Sequence, residues 1–412
     1  MIRTYRLPCT VPRALADTLN LESGRLYTQV LVTHWRIVRK QGHWLRPGTA
    51  EKLNDFFNPV KRLHAHTIDA AQQGFYKACT TAKAVKKLDP DAKYPHWCKR
   101  FRTTIWKHTA IKKAGLVLTL SNGKGTPSLS VRLPSHLADV LRVLEVRLVY
   151  DKRARRYTWH VVVENGKHPA EATGRNVVSV DLGEIHPAVV GDAEEATLIT
   201  CRERRHEAQG HAKRLARLTK ALSRTTKASR RAKKLWRTKS RMKAQHARVI
   251  RDMEHKVSRA IVEVAVERQA SIIVMGDVRD IADGVDLSKQ TNQKISGWNH
   301  GKMRALITYK AAAEGITVTL QDEHYTSQTC PQCGHRHKPR GRVYTCGQCG
   351  FSGHRDVVGQ VNILSAYLHG EPGKITAPAT VKHRMPHNLR LMRRCRDTGQ
   401  VPRACSLETD HV

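Results

Sequence analysis

Four cysteines, Cys330, Cys333, Cys346 and Cys349, constrain this chain more than any other feature. They form two C-x2-C pairs separated by twelve residues in TSQTCPQCGHRHKPRGRVYTCGQCGFSGHRD. Each pair can turn two thiolates onto one ion, and two pairs complete a tetrahedral four-sulfur shell for zinc. Gly334 and Gly350, each one residue past a pair, suit the tight knuckle backbone that such a turn needs. Disulfide pairing is the competing reading, but it belongs to small, cysteine-dense secreted domains. This chain has 412 residues, and its other six cysteines are scattered singly. A closed four-sulfur site has no open position for a substrate, so the Zn2+ is expected to hold a fold. The chemistry is expected elsewhere.

A surplus of 73 Lys and Arg over 35 Asp and Glu gives a formal charge of +38. Such an excess implies a polyanionic partner, because every phosphate neutralised releases a counterion. Membrane binding fits poorly: no apolar run approaches the roughly 18 residues of a spanning helix, and no basic helix carries a bulky apolar face. Met1 to Pro12 lacks the apolar core of a signal peptide. Unpaired cysteines beside a zinc site agree with a reducing compartment. The expectation is a cytoplasmic, nucleoid-associated protein that binds nucleic acid and no membrane, long enough for two or three domains.

The first third reads as a β-barrel or sandwich with a helical insertion near its start. A short extended piece, Ile2 to Leu7, is followed by apolar residues at helical spacing (Leu15, Leu19, Leu26, Val30, then Leu53, Phe57, Val60, Ile68, Phe75). From Gly115 the period becomes two. LVLTL and SLSVRL flank the turn SNGKG, and VLEVRLVYD and YTWHVVV flank DKRARR, which reads as two antiparallel hairpins. Tyr94, Trp97 and Trp106 lie among Lys99, Arg100, Arg102 and Lys107, where aromatics can stack bases or can belong to the core.

A polar boundary near Asn165 to Arg175 separates this part from an α/β part of RNase H-like order. NVVSVDLG, HPAVVGD and ATLIT give three consecutive strands. Between Lys213 and Lys243 there follow 14 Lys or Arg and no acid, punctuated by Leu215, Leu218, Leu222, Leu235 and Met242. A long basic helix laid along nucleic acid is preferred over a disordered arm. An apolar stripe (Val249, Met253, Val257, Ala260, Ile261, Val264) then marks a helix, followed by strand SIIVMGDV, helix GKMRALITYKAAAE and strand ITVTLQDE. Three strands, then helix, strand, helix, strand, describe a meander extended by parallel strands through helical crossovers. From about Gly373 the tail is basic, Pro-containing and poor in apolar residues, and is read as mostly disordered.

In such a sheet, carboxylates at strand ends can converge on two divalent cations that cut a phosphodiester. Asp181 closes the first strand, although a lone strand-end Asp is more often a turn residue. Asp356 in GHRDVVGQVNIL opens a helix right after the ribbon, where a first-turn acid is also favoured by the helix dipole alone. His354 and Arg355 precede it and can face phosphate.

These segments in order, VDLGEIHP, the basic stretch, RDMEHKVS, GDVRDI, DEHYTSQTCPQCG and HRDVVGQVNIL, resemble the TnpB family of transposon-encoded RNA-guided nucleases, related to type V CRISPR effectors. The resemblance spans about Val177 to Leu364 and is only architectural before that. It implies a RuvC-type nuclease needing Mg2+ or Mn2+, and an N-terminal barrel that grips a guide RNA and reads a short motif flanking the target in double-stranded DNA. One departure matters: where the family carries a catalytic Glu after the fourth strand, this chain has Gly276. Asp277 can substitute, but the pleat turns adjacent side chains to opposite faces. Glu323, after the fifth strand, can reach the same ions, because strands four and five are expected to be parallel neighbours. The third possibility is a nuclease that no longer cuts.

The reading adopted is an RNA-guided endonuclease with Asp181, Glu323 and Asp356 as magnesium ligands and Asp277 as second candidate. Its rivals are an inactive RNA-guided DNA-binding repressor and a guide-independent transposase or resolvase. Residues 1–170 form the N-terminal module, 171–324 the first part of the nuclease, 325–351 the ribbon, 352–372 the last nuclease helix and 373–412 the tail. Nucleic acid is expected on Lys213, Arg214, Arg217, Lys220, Arg230, Arg231, Lys233, Lys234, Arg237 and Arg355, with the protein acting as monomer or dimer.

Overall fold

Both hairpins expected from the period-two stretches form. The structure is a computed structural model that describes residues 2–56, 62–164, 166, 174–277, 299–339 and 341–386. By internal contacts the chain resolves into two compact units, Met1–Pro169 with Trp236–Gln245, and Ala170–Leu235 with His246–Val412.

In the first unit, β1 (Ile2–Pro8) precedes three helices, α1 (Arg13–Gln41), α2 (Pro47–Phe56) and α3 (Ala65–Val85), which are the expected insertion. Six strands follow: β2 (Thr104–Lys107), β3 (Ile111–Ala114), β4 (Val117–Leu120), β5 (Leu129–Arg132), β6 (Arg142–Asp151) and β7 (Arg156–Glu164). No closed barrel is seen among the described residues. The strands make an open sheet β1-β7-β6-β2 and a separate sheet β3-β4-β5. A single helical turn at His108–Ala110 separates β2 from β3 along the chain, and the two sheets share one core with α1 and α3. Trp106 and Trp159 meet at 5.8 Å in that core, both fully buried, so Trp106 is a packing residue rather than a base-stacking one. Trp97, by contrast, is 70% exposed. Phe57 and Val60 of the expected helix lie outside the described residues.

The second unit contains β8 (Asn176–Asp181), β9 (Ala188–Gly191), β10 (Glu195–Ile199), α4 (Arg202–Ser223), α5 (Arg230–Glu267, apart from Trp236–Gln245, which group with the first unit), β11 (Ala270–Gly276), α6 (His300–Ala313) and β12 (Thr317–Gln321). These are followed by β13 (Val343–Thr345), β14 (Ser352–His354), α7 (Arg355–His369) and β15 (Thr380–Arg384). The main sheet runs β12-β11-β8-β9-β10-β15. It is antiparallel through β8-β9-β10 and parallel through β8-β11-β12, the expected meander with crossovers.

Two expectations need correction. The basic stretch is not one helix: α4 ends at Ser223, Ala228 takes a left-handed φ of 66°, and Ser229 caps α5 by accepting the Ala232 N–H at 3.1 Å. The second half of the run then continues straight into the apolar stripe, whose Met253, Val257, Ile261 and Val264 are buried on the sheet. The tail also begins with order, because β15 pairs in parallel with β10. Its charges, which argued against structure, find partners: Lys382 with Glu195 at 2.6 Å and Arg384 with Glu267 at 2.7 Å. Residues 387–412, like Arg279, Gly284 and Gly297, lie outside the described residues. No helix among the described residues is long and apolar enough to cross a membrane.

Candidate functional site

Parallel pairing brings the C-terminal ends of β8, β11 and β12 to one edge, with Met275 beside Val180 and Gly276 beside Gln321. Asp181 is the last residue of β8, and Glu323 lies two residues past β12. Helix α7 crosses this edge. Ser179 Oγ donates to the Gln360 carbonyl at 2.8 Å, and Gln360 Nε2 donates back to Oγ at 2.7 Å. Close approach requires Gly359, since a Cβ there would lie 2.6 Å from Asp181 Oδ2. A Cβ at Gly276 would collide with Glu323 Oε1. The carboxylate of Glu323 therefore occupies the space in front of Gly276.

The electrostatics follow from this crowding. Asp181 is pushed well above the usual carboxylate range by burial first, then by Glu323 and Asp356, with Arg355 opposing. Burial, then Asp277 and Asp322, raise Glu323 to about 7. Glu323 Oε1 is buried with no hydrogen-bond partner among the described residues. Desolvated acids held together by the fold, one with an orphaned oxygen, suit a hard divalent cation that takes oxygen ligands. Asp277, the first of the charges acting on Glu323, also lies 3.9 Å from Arg304 beside a small pocket lined by Leu182, Met275 and His300. Asp356 sits in the first turn of α7, where His354 is the cap and accepts the Asp356 N–H at 3.2 Å. Arg342 approaches its Oδ2 at 3.4 Å.

The four cysteines gather as expected, with Sγ separations of 3.6 Å for Cys330 to Cys349 and for Cys333 to Cys346. A tetrahedral ion with bonds of about 2.3 Å needs about 3.8 Å along each edge, so the set fits zinc. The two knuckles match. Gly334 and Gly350 have φ of 73° and 75° and donate to the carbonyls of Cys330 and Cys346 at 3.0 and 3.1 Å. Cys330, Cys346 and Tyr344 pack on Val358 of α7, so the ribbon abuts the helix that carries Asp356.

Of the cations expected to meet nucleic acid, Lys213, Arg214, Arg217, Lys220, Arg230, Arg231, Lys233, Lys234 and Arg237 are exposed, and Arg355 is half-buried. Arg214 is engaged by Glu207 at 3.2 Å. Sequence reasoning missed the surroundings of Asp356. His186, Arg342 and His383 come from three distant segments and all act electrostatically on that corner. The local signal for it is His186, five residues past Asp181 inside VDLGEIHP.

Comparison with known proteins adds an independent line. Residues 300–363 match the family model described as Cas12f1-like, TNB domain, and residues 160–282 the one described as probable transposase. A TnpB-like protein of Methanocaldococcus jannaschii is 32% identical over 119 residues, 28% of this chain and 42% of that protein. The CRISPR-associated endodeoxyribonuclease Cas12f1 of Sulfoacidibacillus thermotolerans is 30% identical over 112 residues, 26% of this chain and 25% of that protein. A putative RNA-guided DNA endonuclease, InsQ of Escherichia coli, is 30% identical over 215 residues, covering 48% and 50%. The chain thus spans half or less of the length of these relatives. Among solved structures, a Cas12f1–sgRNA–target DNA complex superposes with a TM-score of 0.58 over 85% of this chain and 83% of that one. At 12% identity the likeness is one of fold.

Proposed function

The chain belongs to the TnpB family, and from that premise we propose that it is an RNA-guided, metal-dependent DNA endonuclease with a single RuvC-type site. The observation that carries the reading is Glu323, whose carboxylate fills the space that Gly276 leaves open beside Asp181. Asp181, Glu323 and Asp356 would hold divalent magnesium or manganese. Such ions, when bound, activate water and stabilise the leaving oxygen of a phosphodiester. The residues themselves supply position and charge. Burial keeps the carboxylates poorly solvated, so a cation relieves their repulsion. Packing of α7 on β8 fixes Asp356 relative to Asp181 through the Ser179–Gln360 pair. Asp277 has Arg304 as its partner and would act only at the margin of the site. The zinc ribbon would brace α7, while guide RNA and unwound target would lie on the basic faces of α4 and α5 and on the N-terminal unit. Sequence would be read by base pairing and by a short flanking motif, in a nucleoid-containing cytoplasm.

The test is magnesium-dependent cleavage of a guide-matched plasmid by protein purified with its co-expressed flanking RNA. Wild type should cut, Glu323→Ala should lose at least a hundredfold in rate, and Asp277→Ala should lose little. Guide-dependent binding without cutting would replace the nuclease by a repressor, and cutting without RNA would favour a guide-independent enzyme.

A further inference from the structure

Beside the carboxylates lie two histidines to which the nuclease chemistry assigns no role. His186 in the turn after β8, His354 at the start of α7, and Asp356 bring two ring nitrogens and a carboxylate oxygen within 4.8 Å of one another. The two imidazoles lie edge to face, with centroids 5.4 Å apart and planes at 71°. An imidazole lone pair lies in its ring plane, so one ion can serve two rings only where their planes intersect. These planes do intersect. His211 and His246, which form another such group with Glu207, stack at 3.8 Å with planes 4° apart and cannot share an ion without turning a ring. His186 Nδ1 is moreover buried with no hydrogen-bond partner among the described residues. Folding has removed water from that nitrogen without a replacement, which is uncommon for a buried polar atom.

We propose that His186, His354 and Asp356 form a two-nitrogen, one-oxygen site for a divalent transition metal of the cobalt, iron or zinc type. It rests on the nuclease reading in that Asp356 is shared with the proposed catalytic centre. Magnesium is a hard ion that prefers oxygen and keeps its water, whereas imidazole favours the later first-row metals. The corner at Asp356 is therefore chemically distinct from the all-oxygen corner at Asp181 and Glu323. Two rearrangements accompany binding. His354 has one lone pair when neutral and now spends it, through Nδ1, on the Asp356 N–H. That cap gives way in either tautomer: Nδ1 turns its lone pair to the metal, or Nδ1 takes the proton and Nε2 becomes the ligand. Arg342, whose side chain is 44% exposed, swings away from Asp356.

The experiment is a Co2+ titration of full-length, zinc-loaded protein without RNA or DNA, read by visible absorption. One equivalent should bind with ligand-field bands and no thiolate charge-transfer band, which distinguishes it from exchange into the ribbon. His186→Ala, in a turn, should weaken this binding at least tenfold. His354→Asn should do the same while retaining a residue that caps helices well, so ligand loss is separated from loss of α7. Unchanged Co2+ affinity in both variants, or absence of the thiolate-free signal in wild type, would overturn the site. A cobalt site in a protein that never cuts would leave the proposal standing and remove the nuclease. Cutting by a protein without the cobalt site would do the reverse.

Discussion

Glu323 carries a consequence that can be measured without any nucleic acid. Its carboxyl rises from 4.5 to about 7 on folding, chiefly through burial and then through Asp277 and Asp322. An acid whose pKa is raised binds its proton more tightly in the folded than in the unfolded chain. Stability is therefore fullest below pH 4.5 and falls as pH rises through the window to about 7, after which it levels off. The full shift corresponds to at most on the order of 3 kcal/mol. Denaturant unfolding from pH 5 to 8, with zinc retained and magnesium withheld, should show that loss. Glu323→Gln should flatten it and be the more stable protein at pH 8, and added Mg2+ should stabilise wild type more than the variant. An identical pH slope in the variant would mean that the carboxyl is not held in the desolvated place over Gly276.

At the scale of elements, the ribbon and α7 behave as one piece. Asn362 donates to the carbonyls of Thr326 and Thr329 at 2.8 Å and accepts the Gly373 N–H at 2.9 Å, so helix, ribbon entry and the chain after the helix share one side chain. Cys330→Ser should drop zinc below one per chain by elemental analysis. It should also expose the amides around Val358 to hydrogen exchange and lower the unfolding midpoint by about 5–10 °C, the shift that roughly 3 kcal/mol produces in a unit of this size. Unchanged metal content would remove the ribbon. What could be read from the sequence here was local: a C-x2-C spacing, two hairpins, and the alternation of strand and helix in the second unit. What could not be read depended on distant partners. β15 has no apolar alternation, and only pairing with β10 together with Glu195 and Glu267 makes it a strand. The division of the first unit into two sheets was equally hidden, because β1 pairs with β7 from the far end of that unit. Glu323 was within reach because parallel neighbours align their ends. The His186–His354 pair was not, since nothing in either segment points to the other.

Across the whole molecule, a charge of +38 is more than the fold needs, and its densest part is the 14 cations between Lys213 and Lys243. These cations are not equivalent. Arg214 is shared with Glu207, whereas Arg217, Lys220 and Lys233 point outward on α4 and α5. An exposed ion pair is worth little to stability, but it does reduce what a cation can offer a phosphate. The triple substitution Arg217→Ala, Lys220→Ala, Lys233→Ala should leave the fold intact and weaken binding of the proposed guide RNA. Each single-strand phosphate contact contributes about 0.7 to the slope of log affinity against log salt, so the triple variant should lower that slope by about 2. Arg214→Ala should lower it by much less. Dissociation constants measured by filter binding from low to moderate NaCl would show both effects. If affinity fell equally at every salt concentration, the three side chains would be shaping the helices rather than meeting phosphate, and the polyanion would have to lie along another surface of the protein.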